Sequence, residues 1–236
     1  MNELKTLFED GYFLVMDKPI GLPVQGNKPG EDSLVERLGG MEKWNGILHR
    51  LDTPVSGLVL WAKSPVALER GMELFRHRKV EKTYWAVTEK PLPGESGRLI
   101  HFLKHIQAGN KTLISKEEKK DYQRAALDYT LLKKSDRYFL YEVHLLTGRT
   151  HQIRAQLSAA GACIKGDVKY GARRSNTGGG IHLLSRKMEF THPFTKAKMA
   201  FIAEPPAGDS LWEYFNKLDG TKNRGDYEMS QEKSVP

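Results

Sequence analysis

The order of strand-like and helix-like segments constrains the fold of this chain more than any other feature. Segments rich in β-branched and aromatic residues recur along its 236 residues, and such residues favour strands. We count roughly eight predicted strands and three or four predicted helices. Because the two types do not alternate regularly, the pattern predicts an α+β fold with a mixed, largely antiparallel sheet and flanking helices, rather than a doubly wound parallel sheet.

Several segments carry clear signals for their local structure. The apolar run GLVLWA, residues 57–62, predicts a buried strand. Ser64 before a proline is typical of a helix N-terminus, and a helix is expected from Pro65 to about Lys79. A second helix is expected from about Thr150 to Ala160. Residues 109–124 are polar and of mixed charge, which predicts an exposed excursion between strands.

The charge balance and the cysteine content narrow the classes of function. The formal net charge is +8 at pH 7, which favours a polyanionic partner, most often nucleic acid, although an anionic membrane surface would also fit. Cys163 is the only cysteine, so no internal disulfide and no Cys-x-x-Cys metal site can form, and a reducing compartment is expected. Because no signal peptide and no membrane-spanning apolar run is visible, we expect a cytoplasmic protein.

Asp52 is the first candidate for chemistry. It ends the tetrapeptide HRLD, residues 49–52, and a turn-forming proline and Gly57 follow it. A neighbouring arginine would hold this carboxylate in its charged form, in which it can act as a nucleophile or a base. The more common role of such an Asp is to cap its own backbone at the head of a turn. The tetrapeptide alone leaves both roles open.

Two further stretches hold candidate residues. Arg149 lies at a predicted strand-to-helix junction in GRTHQIR, residues 148–154. A guanidinium there can reach a carboxylate or a phosphate with two hydrogen bonds, although an exposed basic helix start is the alternative. Lys82 and Tyr84 share one face of a predicted strand, where Tyr84 can stack on a base or simply pack in the core. His151 is interpreted as a structural histidine, and without an HExxH pattern no metal site is expected.

Taken in order, these stretches and three others resemble the RluA-type family of RNA pseudouridine synthases. The resemblance extends over about residues 8–206. No single motif is specific, but their common order is. The matching stretches are DKPIGLPVQG at 17–26, HRLD followed by SG at 49–57, EKTYWAV at 81–87, GRTHQIRAQL at 148–157, IKGDVKYG at 164–171 and FTHPFTKAKMAFIAEPP at 190–206.

The resemblance implies the pseudouridine synthase catalytic fold, with a central RNA-binding cleft, and the conversion of uridine to pseudouridine in structured rRNA or tRNA. In that reaction the N1–C1′ bond breaks, the uracil turns and C5 joins C1′, so that no cofactor is required. Carried over by motif, Asp52 is the catalytic carboxylate and Arg149 is its partner. Tyr84 lies against the flipped uracil and can assist proton transfer. Whether the covalent step occurs at C1′, occurs at C6 or goes through a glycal stays open.

The resemblance also implies contacts with the substrate. Arg50 is expected to contact RNA phosphate or to fill the space that the base leaves, and Ile153 to form an apolar wall of the base pocket. Further substrate-binding candidates are His49, Lys82 and Arg154. Val55 stands where the family usually has Thr, and Gln156 stands where a His is common. Both departures bear more on the choice of substrate than on activity.

The predicted organisation is one catalytic domain over residues 1–218, without a separate N-terminal RNA-binding domain, followed by a disordered tail at 219–236. RNA contacts are expected from the basic residues 76–79 and from segment 111–124. We expect a monomer that acts on structured RNA and that uses no metal, cofactor or membrane.

Two alternatives to this enzyme are considered. The first is a non-catalytic RNA-binding or RNA-folding factor that uses the same cleft. The combination of Asp52, Arg149 and Tyr84 argues against it, because RNA binding alone does not require that set. The second is an unrelated hydrolase with Asp52 as its nucleophile, for which the sequence offers no consistent general base or oxyanion partner.

Overall fold

The computed structural model describes residues 4–28, 30–39 and 46–217. Within these residues the strands are β1 (Lys5–Glu9), β2 (Phe13–Lys18), β3 (Gly46–Ile47), β4 (Ser56–Ala62), β5 (Val80–Thr88), β6 (Ser96–Ile106), β7 (Lys111–Ser115), β8 (Gln123–Lys134), β9 (Phe139–Leu145), β10 (Leu183–Thr191) and β11 (Lys198–Ile202). The helices are α1 (Leu34–Arg37), α2 (Pro65–Arg76), α3 (Gln152–Ala159) and α4 (Ser210–Lys217). A 3-10 turn occupies Val168–Tyr170. The tail predicted at 219–236 lies outside the described residues.

All of these strands join one 11-stranded sheet in the order β1-β2-β4-β10-β5-β9-β8-β6-β7, with β11 on β10 and β3 on β4. Strands β4 and β10 are parallel, and the other pairings between the described strands are antiparallel. The predicted α+β fold with a mixed, largely antiparallel sheet is therefore confirmed.

The backbone of Gly57 explains how β4 and β10 come together. Gly57 has φ +108°, and a Cβ at this position would lie 2.4 Å from the carbonyl oxygen of Ser185 on β10. A side chain would therefore collide with the neighbouring strand, so glycine is required. The parallel pairing of β4 with β10 begins at Ser56 and Gly57, directly after the HRLD turn.

The sheet separates two apolar layers. In β4, Val59 and Trp61 belong to one buried cluster, whereas Leu58 and Leu60 belong to another. This alternation follows from the twofold period of a strand. Helix α3 packs into the first layer, and α2 and α4 pack into the second. In β5, Tyr84 faces the first layer, together with α3.

Two predicted elements differ from the structure. Helix α2 ends at Arg76 rather than near Lys79, because Arg78 adopts a left-handed backbone with φ 55°. Helix α3 begins at Gln152 rather than near Thr150, because His151 has φ 54°.

Segment 109–124 is not entirely the exposed excursion that its polar composition predicted. Its residues Lys111–Ser115 form β7, which pairs with β6 at the end of the sheet. An end strand needs hydrogen bonds on one side only, so a polar sequence is compatible with it. Thr112 is the buried residue of β7. None of the helices in the described ranges is both long enough and apolar enough to cross a membrane.

Candidate active site

An open cleft of about 1960 Å³ lies over the start of β4, one end of β5 and the loop before α3. All of the predicted site residues except Ile153 line it. Ile153 is 4% exposed and belongs to the buried apolar layer that also contains Leu51 and Tyr84. Leu51 and Tyr84 of this layer line the cleft and Ile153 does not, so its role as a wall of the base pocket stays a prediction.

The turn that carries Asp52 is held by the backbone on several sides. The N–H of Val55 donates to the carbonyl of Asp52 at 3.0 Å, the N–H of Gly21 to the carbonyl of Thr53 at 3.0 Å, and the N–H of Ile181 to the carbonyl of Pro54 at 3.0 Å. The Asp52 side chain remains 25% exposed to the cleft. Asp52 is thus both the turn residue and an accessible carboxylate.

Arg154 is the partner of Asp52. Its Nη1 donates to Asp52 Oδ2 at 2.8 Å. Its Nε and Nη2 donate to the two carboxylate oxygens of Asp167 at 2.7 and 2.8 Å. Burial alone would lower the pKa of Arg154, but the hydrogen bonds and charges of Asp167 and Asp52 outweigh it and raise the pKa. A permanently charged guanidinium therefore joins the two carboxylates.

The prediction that Arg149 pairs with Asp52 is wrong. Arg149 is exposed, and its Nε donates to the carbonyl of Arg124 at 3.4 Å. Its backbone N–H donates to the side-chain oxygen of Gln152 at 3.0 Å, which holds the residue in the loop before α3. Arg154 is one turn inside α3, on the side that meets Asp52. Arg149 instead lines the cleft as an exposed cation.

Lys18 is a part of the site that sequence reasoning missed. Its side chain is fully buried, and its Nζ donates to the carbonyls of Leu22 at 2.7 Å, Pro19 at 3.0 Å and Thr53 at 3.3 Å. Burial lowers the pKa of Lys18 to about 7, against the opposing charges of Asp52 and Asp17. The signal was present in the DKP motif, but only the fold shows that this lysine reaches the Asp52 turn.

Tyr84 lies at the floor of the cleft and is almost fully buried. Burial raises the pKa of Tyr84 to about 12, and the charge of Asp52 adds to the shift. The phenol therefore stays protonated at neutral pH, so that it offers an O–H donor and an aromatic face.

His49 anchors the HRLD turn to the sheet. Its Nε2 accepts the backbone N–H of Leu60 at 2.9 Å, so this nitrogen carries no proton. Burial and the charge of Lys82 lower the pKa of His49 to about 3. The ring lies 5.2 Å from that of Phe75, centroid to centroid. His49 thus contributes a neutral wall of the cleft rather than a charge.

Lys82 and Arg50 face the cleft in different environments. Burial lowers the pKa of Lys82 to about 8, and its Nζ lies 5.4 Å from the ring centroid of Phe75. Arg50 is exposed beside Asp52. Their charges add to a strongly basic lining in which the acidic members are Asp52 and Glu81, while the lysines and arginines are Arg50, Arg76, Arg78, Lys82, Arg98, Arg124, Arg149, Arg154 and Lys169.

The cleft can therefore bind a polyanion and present the Asp52 carboxylate to it. Arg76 and Arg78, from the predicted basic segment 76–79, and Arg124, from segment 111–124, take part in the lining. Among the described residues, no group of three or more His, Cys, Asp or Glu side chains is arranged to hold a metal ion.

Comparisons with known proteins give consistent results. A family model described as RNA pseudouridylate synthase matches residues 12–159. The chain is 31% identical to an RNA pseudouridine synthase of Zymomonas mobilis, over 83% of this chain and 88% of that protein. It is 30% identical to ribosomal large subunit pseudouridine synthase C of Escherichia coli, over 90% of this chain and 69% of that protein. A relative in Chlorobaculum parvum, also an RNA pseudouridine synthase by name, is 32% identical and is covered over 57% of its length.

Solved structures agree with the fold. The human protein called RNA pseudouridylate synthase domain containing 4 superimposes with a TM-score of 0.68 at 25% identity, over 86% of this chain and 88% of that one. Human RNA pseudouridylate synthase domain containing 1 also gives a TM-score of 0.68, at 20% identity, over 93% of this chain and 96% of that one. The second likeness supports the fold alone.

Proposed function

Because this chain belongs to the RNA pseudouridylate synthase family, we propose that its isomerisation of uridine to pseudouridine in RNA is carried out by the carboxylate of Asp52. The enzyme is an isomerase: the N1–C1′ bond of the nucleoside breaks and a C5–C1′ bond forms. The proton on C5 is lost and N1 gains one, so the atoms balance without a co-substrate.

One observation carries the assignment of Asp52. Arg154 and Asp52 are joined through Oδ2 alone, and within the described part of the chain Oδ1 takes no hydrogen bond. The carboxylate is therefore oriented through one oxygen, and its other oxygen is available to a substrate in the cleft. A fixed, charge-compensated carboxylate with one free oxygen suits a nucleophile or a base.

Tyr84 is proposed to receive the uracil. A base inside an RNA helix is out of reach of Asp52, so the uridine has to leave the stack. The protonated phenol at the floor of the cleft offers a surface for stacking and an O–H for the base. Arg50, exposed beside Asp52, is proposed to contact a flanking phosphate or to occupy the space that the base has left.

We propose large-subunit ribosomal RNA as the substrate and the cytoplasm as the compartment. Relatives in Escherichia coli and Vibrio vulnificus carry the name ribosomal large subunit pseudouridine synthase C, and the net charge of +8 suits a polyanionic partner. The single cysteine fits a reducing compartment. The proposed working form is a monomer without metal or cofactor, because the carboxylate, phenol and guanidinium come from one chain.

Asp52→Asn tests the mechanism. The substrate is rRNA from a strain that lacks the gene, labelled with tritium at C5 of its uridines, so that each isomerisation releases tritium to water. We expect tritium release to fall to background while binding of the same RNA on filters is retained. Asp32→Asn is the matched control, since it also removes a carboxylate from an arginine pair, with Arg37 at 2.7 Å, but on the outer surface.

The same assay separates the enzyme from a non-catalytic RNA-binding factor. A binding factor would bind rRNA without releasing tritium in the wild-type protein as well. Retained activity in Asp52→Asn would refute the role of this carboxylate. Pseudouridine mapping of rRNA from the deletion strain, with and without the restored gene, would then identify the modified uridine.

A further inference from the structure

Behind Asp52 lies a group of polar side chains that the proposed chemistry does not use. His151 and Thr112 are buried, as is Tyr170. They belong to the residue before α3, the end strand β7 and the 3-10 turn. The catalytic role proposed above does not require a histidine at this place, yet His151 holds a left-handed backbone with φ 54°. Such a conformation is uncommon for residues other than glycine, although histidine adopts it more often than most, and the contacts of the ring show what accompanies it here.

The hydrogen bonds around Tyr170 favour one tautomer of His151. The backbone N–H of Thr112 lies 2.8 Å from the Tyr170 hydroxyl oxygen and can only donate to it. The same hydroxyl lies 2.8 Å from His151 Nδ1. A phenol has one proton. Because the Thr112 N–H already donates to this oxygen, we assign the phenol proton to Nδ1, which places the imidazole's own proton on Nε2.

That proton faces Asp52. His151 Nε2 is 3.6 Å from Asp52 Oδ2, which is the oxygen that Arg154 also contacts. The separation is longer than a hydrogen bond, so Nε2 lies beside the carboxylate without a hydrogen bond to it in this structure. The Arg154 guanidinium and the His151 imidazole thus both lie beside Oδ2, and Oδ1 is left for the cleft.

The ring is a neutral donor rather than a second cation. Burial lowers the pKa of His151 to about 4; the charge of Asp52 opposes the shift, and those of Arg154, Lys169 and His105 add to it. The His105 ring stands edge-on to that of His151 with centroids 5.8 Å apart. A protonated imidazole in this position would compete with Arg154 for the carboxylate, whereas the neutral ring only orients it.

We propose that His151 is a positioning residue for Asp52. The Thr112–Tyr170–His151 hydrogen-bond chain holds the imidazole in its Nε2–H form, and this N–H fixes Oδ2 so that Oδ1 faces the uridine. This rests on the proposed role of Asp52. The chain of contacts also ties β7 to the reacting carboxylate. Thr112 Oγ1 donates to the carbonyl of Thr150 at 2.9 Å, which fastens the strand to the loop that carries His151.

Two substitutions of His151 separate positioning from structure. Asn tolerates the left-handed backbone best and can accept the Tyr170 proton, but its amide is too short to reach Asp52. Gln fits that backbone less well, but its amide N–H reaches the place of Nε2. For positioning, we expect His151→Asn to lower kcat roughly ten- to a hundredfold with little change in KM, and His151→Gln to stay within about threefold of the wild type.

A merely structural role predicts the opposite order, with His151→Asn more stable and more active than His151→Gln. The measurements are kcat and KM with the C5-tritiated rRNA and the urea midpoint of each variant. The opposite order of kcat would overturn the proposal.

Nitrogen NMR of the imidazole tests the tautomer without any RNA. In the wild-type protein with labelled histidine, we expect the His151 signals of the Nε2–H form, and in Tyr170→Phe a mixture of the two neutral forms. A wild-type ring protonated on Nδ1 would refute the proposal even if the enzyme is active. Conversely, activity that survives Asp52→Asn would refute the proposed function, and the NMR result would still report on His151.

Discussion

Asp52 and Asp167 bind the same guanidinium, yet their surroundings differ. Asp167 is 1% exposed and takes two hydrogen bonds from Arg154, whereas Asp52 is 25% exposed and takes one. On the closed side of Arg154, both carboxylate oxygens are engaged and water is excluded. On the open side, one oxygen is left for the cleft. The contrast teaches that one arginine can hold one carboxylate in the core and leave another partly open to a cleft.

The largest expected effect is on the closed side. Asp167→Asn removes a buried charge that compensates Arg154, and we expect the free energy of unfolding to fall by about 3 kcal/mol or more, since breaking a buried ion pair leaves the other charge uncompensated. Asp52→Asn, on the open side, should cost about 1 kcal/mol or less. Urea unfolding followed by circular dichroism measures both. Equal losses of the free energy of unfolding would mean that the two carboxylates contribute equally to stability, which would contradict the contrast between them.

Replacing Arg154 should weaken both of its ion pairs, with Asp52 and with Asp167. Arg154→Lys replaces a fork that reaches two carboxylates with a single ammonium, and we expect kcat to fall by roughly a hundredfold because Asp52 is no longer fixed. Arg149→Lys is the matched control, because Arg149 lines the cleft but does not contact Asp52, and its kcat should change by less than about threefold. If Arg149→Lys were the more damaging variant in tritium release, the assignment of Arg154 would be wrong.

The choice between these two arginines shows where sequence reasoning stops. The GRTHQIR motif marked the right segment, and the strand pattern predicted the fold class, since both depend on local composition. The partner of Asp52, however, depends on where α3 begins. His151 takes a left-handed conformation that no pattern of apolar residues announces, and this delays the helix to Gln152. Arg154 is then the residue that meets Asp52.

Lys18 and β7 were missed for a different reason. A lysine before a proline indicates a strand end, and only the packing of a turn 35 residues away shows that its ammonium is buried against the carbonyl of Thr53. The polar Lys111–Ser115 segment pairs because β6 offers it a free edge. The burial of Lys18 thus arises from a contact that is distant in the sequence, and β7 forms as the second strand of a hairpin in which Lys111 pairs with Ile106. The predicted strands at 57–62 and around Tyr84 follow instead from their own composition.

Lys18 lies beside the turn that carries Asp52, and the burial of its ammonium makes the free energy of unfolding depend on pH. The folded-state pKa of about 7 lies below the ordinary lysine pKa of 10.5, so between these pH values the unfolded chain binds more protons than the folded one. Stability should therefore rise as the pH is raised from about 7 to about 10. In Lys18→Met the part of this rise that Lys18 contributes should be lost, and about 1 to 2 kcal/mol of stability with it, because buried carbonyls lose their donor. Lys82, whose burial lowers its pKa to about 8, keeps a smaller rise above about pH 8.

The control for Lys18→Met is Lys165→Met. Lys165 Nζ also makes a short side-chain hydrogen bond, to Asn176 at 2.7 Å, but it is not part of the Asp52 turn. Urea midpoints at a series of pH values should keep the wild-type slope in this control. An unchanged slope in Lys18→Met would show that its ammonium is charged in the folded protein at every pH tested. Asp17 does not contribute to this slope, because burial is the main cause that raises its pKa to about 6, and the group therefore titrates below pH 7.

The smallest effect is expected for Arg50, on the salt dependence of RNA binding. Arg50 is exposed beside Asp52, and if it contacts a phosphate, Arg50→Gln should reduce the slope of log binding constant against log salt by about 0.7 to 0.9. Lys198→Gln, which removes an exposed charge from β11 outside the cleft, should leave that slope unchanged. Filter binding of rRNA at several salt concentrations measures both. A lower kcat at saturating RNA with an unchanged slope would instead assign Arg50 to the space that the base leaves, because that contact forms only once the uridine has moved towards Asp52.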